Sequence, residues 1–434
     1  MSIVEPTSTW FEQGFAEQNA KQDWLRALQN NAAEVFSQRG LPSRREEAWK
    51  YTDTTFLAQK NYKMSAVMPA NNPIAEYQLQ QADCIMMVFI NGHYMESLSQ
   101  IDLLPNSVTL CSLKDALDSS ELKAILSQTV DAQRYPFAVL NTALLQDGLF
   151  LSIPKNTVLK TPIHFLYLNT ETSGFAAHSR NIIKIDEQSQ VTILEEHVGQ
   201  QADDYFTNVQ TDIYAGRGAQ VDYHKIQNES KSAVHIAQTF IYQQQDSQVN
   251  LTSLSDGARL ARDDIYLRLS EQGASVSLKG FYALNQDDQH CDYHIHADHL
   301  AAYTMSEMHY KGILDKKSQA VFNGKVYVAA DAQKIQSNQS NHNLLLSTQA
   351  QVATKPELEI YADDVKCAHG ATVGQLDKDA LFYLQSRGID EKTALQILNR
   401  AFAADVLDKV KHPAIARQFQ RLLTQEFGDE NEFC

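Results

Sequence analysis

The chain has 434 residues, and its 53 acidic side chains outnumber its 37 basic ones, which gives a formal net charge of −16. At roughly 100–200 residues per domain, this length suggests about two to four domains. So acidic a chain is a poor nucleic-acid binder, because affinity for phosphate depends on clustered Lys and Arg. Its longest apolar runs are far shorter than the ~20 residues of a membrane span, and the first residues lack the pattern of a signal peptide. We therefore expect a cytoplasmic protein that binds neither nucleic acid nor membrane.

Residues 1–135 are predicted to be a mostly helical N-terminal region. Apolar residues recur at helical spacing across Trp24–Phe36, and Gly40 ends the run. Ser43 and Glu46 then have the spacing of a capping box, which predicts that a further helix begins there.

Residues 136–375 have a different pattern, in which β-branched and aromatic residues alternate with polar ones. A unit of strand, polar turn and second strand recurs, and the second strand opens with valine. These valines are Val191, Val221, Val249, Val276 and Val321, at intervals of 30, 28, 27 and 45 residues. Such periods are typical of stacked repeats. A β-solenoid with about two coils per repeat and an antiparallel meander both fit, and the scarcity of Asn-Gly or Asp-Gly turns favours the solenoid.

Residues 376–434 are predicted to be a C-terminal helical domain. Its last helix is opened by Pro413 and carries an apolar stripe, formed by Ile415, Phe419, Leu422 and Phe427. The stripe either docks a partner or packs entirely on the preceding helix, and the sequence leaves both alternatives open.

Common catalytic motifs are absent from the sequence, including the P-loop of ATPases and the HExxH, GxSxG and GxGxxG patterns. Paired acids suggest one alternative function, a secreted-type β-helical carbohydrate-active enzyme with two catalytic carboxylates. These pairs are Asp203-Asp204, Asp263-Asp264, Asp287-Asp288 and Asp363-Asp364. Adjacent residues on a strand point to opposite faces, so we interpret the pairs as acids of turns and surfaces.

Histidines are densest between His290 and His299. On a strand His290, Asp292, His294 and His296 would share one face, with Cys291 on the other. That face could ligate a metal, although a hydrogen-bonded or interfacial polar face is the preferred interpretation.

A second candidate site contains Cys367 and His369, whose side chains face the same way on an extended segment. Lys366 beside them is expected to favour the thiolate. Two ligands cannot close a tetrahedral site, so further ligands would come from elsewhere, including another chain. On spacing alone, a structural cysteine beside an unrelated histidine is the preferred interpretation. The five cysteines form no CxxC, which excludes a zinc finger or ribbon, and their odd number argues against a disulfide framework.

Three segments of the C-terminal half carry a resemblance to a known family. They are Asn341–Ser347, Lys355–Asp377 with its Lys-Cys-Ala-His-Gly run, and Tyr383–Ile389. Together with Arg45–Thr52, they are similar to the signature of SufD, in the SufB/SufD family of the SUF iron–sulfur cluster assembly machinery. The absence of a P-loop is compatible with this resemblance.

The resemblance implies a right-handed parallel β-helix core flanked by N-terminal and C-terminal helical regions. It also implies a non-catalytic scaffold subunit that pairs with SufB and binds the SufC ATPase through its C-terminal helical domain. Cys367 and His369 would then lie at the SufB interface, where a nascent iron–sulfur cluster is assembled and shared, while the isolated chain holds no tightly bound cofactor. In isolation the chain could also pair with a second copy of itself.

Overall fold

The structure is a computed structural model that describes residues 9–18, 20–66, 74–79, 83–128, 130–170, 174–199, 204–407 and 410–427. Asp203 and Cys434 lie outside these ranges. The helices are α1 (Trp10–Glu17), α2 (Asp23–Arg39), α3 (Ser120–Leu126), α4 (Pro136–Ala143), α5 (Lys378–Ser386), α6 (Glu391–Leu407) and α7 (Pro413–Phe427).

The strands that precede the regular repeat are β1 (Lys63–Met64), β2 (Ile85–Ile90), β3 (His93–Tyr94), β4 (Thr109–Ser112), β5 (Asp147–Ile153) and β6 (Ile163–Asn169). Those of the repeat are β7 (Phe175–Ile185), β8 (Gln190–Gly199), β9 (Tyr205–Ala215), β10 (Gln220–Asn228), β11 (Val234–Gln243), β12 (Gln248–Ser255), β13 (Leu260–Leu269), β14 (Ser275–Leu284), β15 (His290–His299), β16 (Met305–Leu314), β17 (Gln319–Val328), β18 (Ile335–Leu345), β19 (Gln351–Ile360) and β20 (Val365–Gly374).

The strands form two ten-stranded sheets whose long strands are parallel. Sheet A contains the odd-numbered strands from β5 to β19, together with β4 and β1, and sheet B contains the even-numbered strands from β6 to β20, together with β2 and β3. Consecutive long strands therefore lie in different sheets, which confirms the β-solenoid and contradicts the meander of hairpins. Each repeat supplies one strand to each sheet, so it forms one coil and the expectation of two coils is wrong.

Four of the five repeat valines stack as the sequence period predicts. Val191, Val221, Val249 and Val276 are aligned residue for residue across β8, β10, β12 and β14. Val321 does not belong to this column, since it lies in sheet A and pairs with Asp292. The strand that stacks on β14 is β16, where Ser306 takes the valine position. The interval of 45 residues is irregular because the valine column has a serine in this coil, so the next valine counted was Val321 of the other sheet.

Close packing inside the solenoid depends on reciprocal pairs of small and large residues in β14 and β16. Gly280 is aligned with Tyr310, and Tyr282 is aligned with Gly312. A Cβ atom on either glycine would overlap the ring of the aligned tyrosine. Both tyrosines are fully buried, so the glycines provide the space that these rings occupy.

Helices cover both outer faces of the solenoid. Trp10, Phe36 and Phe137 from the N-terminal helices pack with Phe206 of sheet A. On the other side α7 packs against sheet B, where Phe419 joins a cluster with outward residues of that sheet. Every member of the predicted stripe on α7 is buried, namely Ile415, Phe419, Leu422 and Phe427. The stripe thus contacts the solenoid of its own chain, an arrangement that neither sequence-based alternative described.

The segment predicted to start a helix at Ser43 forms instead an N-terminal strap, residues 42–54, across the outer face of sheet A. The backbone N–H of Ser43 donates to Glu46 Oε1 at 3.0 Å, as in half of a capping box. Only one turn of 3₁₀ helix follows, at Glu47–Trp49. The helix does not continue because Trp49 and Thr52 are held by side chains of sheet A.

None of the helices in the described part of the chain is long and apolar enough to cross a membrane.

Candidate functional site at the open end of the solenoid

The last two strands leave one end of the solenoid open. β19 pairs with β17 and β20 pairs with β18, and no further strand among the described residues pairs with either of them. Both are ten residues long. Each therefore presents an edge of backbone N–H and C=O groups to which another strand could add.

Cys367 and His369 lie on β20, the last strand of sheet B. Cys367 is aligned with Ser337 of β18, and His369 with Gln339. Ser337 and Gln339 are buried inward-facing residues, so both site residues face the inside of the solenoid at its open end. Cys367 is half-buried against the interior cluster, whereas His369 is exposed. The structure thus places on one face the two residues that the sequence singled out.

The surroundings of the Cys367 thiol favour its protonated form. Burial raises its pKa, and a hydrogen bond with the backbone of Ser337 only partly offsets that effect. Lys366 is exposed, and as the adjacent residue of the strand it faces away from the thiol. The expectation that Lys366 favours the thiolate is therefore wrong. A metal bound here would have to displace the thiol proton.

Gln339 adds a polar group directly beneath His369 that sequence reasoning missed. Its side chain is 1% exposed, and its Nε2 donates to the carbonyl oxygen of Glu357 at 3.3 Å. Its Oε1 is buried and has no hydrogen-bond partner among the described residues. The polar residues at every second position, Ser337, Gln339, Asn341 and Asn343, were the available signal for a polar stripe inside a strand.

The His290–His299 segment is strand β15, and His290, Asp292, His294 and His296 share one face as predicted, with Cys291 on the other. That shared face is the outer one, whereas His299 is buried on the inner face. Asp292 accepts from Nη1 of Arg262 at 2.7 Å and from the hydroxyl of Thr52, while His294 Nε2 lies 3.1 Å from its Oδ1. Burial favours a raised pKa for Asp292, but Arg262 and His294 outweigh it and hold the pKa below its ordinary value. These contacts support the interpretation of a hydrogen-bonded polar face.

The described residues contain no group of three or more His, Cys, Asp or Glu side chains placed to hold a metal ion. Neither β15 nor the open end is therefore a complete metal site within the described part of this chain. The two donors on β20 would need further ligands from outside the described part of this chain to form a metal site.

Asp263 and Asp264, one of the acid pairs, are buried on β13 and do not form a catalytic dyad, because their side chains point to opposite faces of the strand. Lys225 Nζ donates to Asp263 Oδ2 at 2.8 Å inside the solenoid, and Arg262 Nη2 donates to Asp264 Oδ1 at 2.7 Å outside it. Opposite orientation is confirmed for this pair, but its interpretation as turn or surface acids is wrong. Asp364 ion-pairs with Lys334.

Helix α5, which follows β20, presents an exposed aromatic face that the sequence did not single out. Phe382 is 69% exposed and Tyr383 is 57% exposed, and none of the residues of α5 is buried. An exposed pair of large aromatic side chains is typical of a surface that binds another protein.

Comparison with known proteins places these features in a family context. Residues 167–402 match the SufBD core domain of the SUF system for Fe–S cluster assembly, and residues 10–165 match the SufBD N-terminal region. An iron–sulfur cluster assembly SufBD family protein of Synechocystis is 34% identical, over 87% of this chain and 86% of its own length. The iron–sulfur cluster assembly protein SufD of Escherichia coli is 29% identical over 87% and 88%. SufB of Bacillus subtilis is 27% identical over 61% and 57%.

Proposed function

Since the chain belongs to the SufBD family of iron–sulfur cluster assembly proteins, we propose that it is a scaffold subunit of the SufD type. In this role it pairs with SufB and contributes residues to a site at which a nascent cluster is assembled. The reaction's metal and sulfur are cargo, and the chain itself performs no catalysis. The observation that carries the proposal is the open end, where Cys367 and His369 share the inner face of β20.

The open end supports pairing with a second solenoid. The unpaired edges of β19 and β20 can accept the strands of a SufB solenoid in continuation of both sheets. A paralogue of the same family is a suitable partner because the shared family predicts a solenoid of the same kind. The interior of the two solenoids would then be continuous across the interface.

The donor set supports a shared site. A thiol and an imidazole are suitable ligands for iron, but two donors hold a metal weakly. The remaining ligands come from SufB, so assembly of the interface completes the site. Because burial raises the pKa of the Cys367 thiol, the incoming iron must displace that proton. His369, being exposed, is the more accessible donor.

We assign the docking of the SufC ATPase to α5 rather than to α7. The α7 stripe is buried on the solenoid, whereas Phe382 and Tyr383 of α5 are exposed close to β20. ATP hydrolysis belongs to that partner in this proposal, since the sequence has no P-loop. A cytoplasmic location suits the free thiols of the four described cysteines.

The test is co-expression of His369→Ala and Cys367→Ala with SufB and SufC, followed by anaerobic reconstitution. We expect intact complexes with reduced cluster content by absorption and Mössbauer spectroscopy, and a smaller or equal effect for Cys367→Ala. Lys366→Ala, on the opposite face of the same strand, is the control and should retain the cluster. A normal cluster yield in an assembled His369→Ala complex would remove this residue from the site.

A further inference from the structure

A cavity of about 600 Å³ lies between the N-terminal strap and the outer face of sheet A, whereas Cys367 and His369 face the inside of the solenoid. Its floor comes from β15, β17 and β19, through residues that include His294, Asn323 and Lys355. Its other wall is the strap, with Arg44, Arg45, Glu46, Glu47, Lys50 and Tyr51. That volume falls in the range of cavities that bind small molecules.

The strap that forms this wall is anchored to sheet A. Its residue Trp49 is buried, and the guanidinium of Arg262 in sheet A lies 3.6 Å from the centre of the indole ring. Thr52 donates to Asp292, and the Thr54 hydroxyl donates to the carbonyl oxygen of Pro42 at 3.0 Å. The backbone that carries the basic side chains is thus anchored before any ligand arrives, which lowers the entropic cost of binding.

The charge around the cavity is unbalanced. Its two carboxylates are already paired, Glu46 with Arg39 and Glu47 with Lys355, the latter at 2.6 Å. The other three cations of the cavity are exposed and form no ion pair with any carboxylate of the described residues. They are Arg44, Arg45 and Lys50. In a chain with a net charge of −16, an anchored cluster of unpaired cations is suited to an external anion.

We propose that this cavity binds a small organic phosphate that carries at least two phosphoryl charges. Two guanidinium groups can each engage phosphate oxygens with paired N–H donors, and the ammonium of Lys50 adds a third positive charge. Tyr51 is 46% exposed and offers an aromatic surface beside these cations. The side chain of Asn323 supplies a neutral donor from the floor.

A neighbouring cavity of about 510 Å³ shows by contrast why the first one suits an anion. It shares Arg44 and Tyr51 with the first cavity, and it is also lined by Lys60, Arg259, Asp53 and Asp288. Lys60 is paired with Asp204, whereas Asp53 and Asp288 form no ion pair among the described residues and offset the charges of Arg44 and Arg259. The excess of positive charge is therefore a property of the first cavity, whose two carboxylates are both neutralised.

The experiment is calorimetric titration of the full chain with inorganic pyrophosphate and, separately, with adenosine diphosphate at low ionic strength. We expect one saturable site, weakened about tenfold or more by Arg44→Gln/Arg45→Gln. Lys155→Gln/Lys160→Gln makes the same change in net charge at exposed positions elsewhere and should bind as the parent does. Tighter binding of the diphosphate than of pyrophosphate would show that the organic part is held as well, and equal binding would show that the phosphates alone are.

Three results would overturn the proposal. One is the absence of saturable binding of both probes, and another is equal weakening in the two double variants, which would indicate unspecific attraction. The third is that Arg44→Gln/Arg45→Gln no longer co-purifies with SufB while the parent protein binds neither phosphate probe. That result would assign these cations to a contact with a protein. Thermal unfolding of both variants shows whether each is folded, and the titration is independent of cluster assembly, so it can fail without affecting the proposed scaffold function.

Discussion

The guanidinium of Arg262 lies 3.6 Å from the ring centre of Trp49, and this contact fastens the N-terminal strap to sheet A. Arg262 also donates to the carbonyl oxygen of Ala48 at 2.9 Å. Its charge is balanced by Asp264 and Asp292 on the same face. The strap is therefore attached through one buried cation that bonds to its backbone and stacks on its indole ring.

Removing the indole should destabilise the protein. Trp49 is 1% exposed, so we expect Trp49→Ala to lower the free energy of unfolding by about 3–5 kcal/mol. Tyr51→Ala, two residues along the same strap, removes an exposed ring and should change it by less than about 0.5 kcal/mol. Chemical denaturation of both variants measures the difference, and equal stabilities would contradict the anchoring role of Trp49.

Asp292 should make stability depend on acid pH. Arg262 and His294 hold its pKa below the ordinary value of 3.8 in the folded chain. Its contribution is therefore fully present above that value and is lost as the pH falls towards the folded pKa. We expect Asp292→Asn to be less stable than the parent at pH 7, and the gap to narrow below about pH 4. Denaturation at a series of pH values tests this, and a gap that is constant with pH would contradict it.

The aromatic face of α5 should bind SufC without stabilising the fold. Phe382→Ala/Tyr383→Ala truncates two exposed rings, so we expect an unchanged melting temperature and a loss of SufC in co-purification. Phe419→Ala on α7 is the opposite case, since its ring is fully buried on sheet B and its loss should cost about 3–5 kcal/mol. Full SufC binding by the folded α5 double variant would contradict the assignment.

The glycines inside the solenoid should not tolerate a side chain. Gly280→Ala places a methyl group against the Tyr310 ring, and we expect a loss of about 1–3 kcal/mol through overpacking. Gly370 is the control because nothing lies within 4 Å of the position of its added Cβ. Gly370→Ala should retain the stability of the parent. If differential scanning calorimetry gave the two variants the same melting temperature, the packing argument would be wrong.

The solenoid could be predicted because its determinants are local and repeat along the chain. Val191, Val221, Val249 and Val276 occupy the same strand position in four successive coils. Each of these coils packs between neighbouring coils of the same kind, so the same residue type suits each one. The sequence prediction went wrong at Val321, where the repeated residue type belongs to the other sheet. A recurring residue indicates the period, but strand alignment decides which column it joins.

The placement of the candidate site residues could be predicted in part, for a similar reason. Cys367 and His369 are two residues apart on a strand, so their common face follows from alternation alone. The contact between Trp49 and Arg262 joins residues that are distant in sequence, and the burial of Phe419 depends on an equally distant surface. Alternation and helical period indicate which face of an element is apolar, but not which surface will cover it.

The two ends of the solenoid differ, and this limits how many subunits can stack. At one end the sheets finish in the short antiparallel strands β3 and β4, of two and four residues. At the other end they finish in β19 and β20, two ten-residue parallel edges. A head-to-tail contact that used both ends would propagate into a filament. In the proposed pairing with SufB only the long edges would be used, so a second solenoid whose far end is similarly short would terminate growth at a pair.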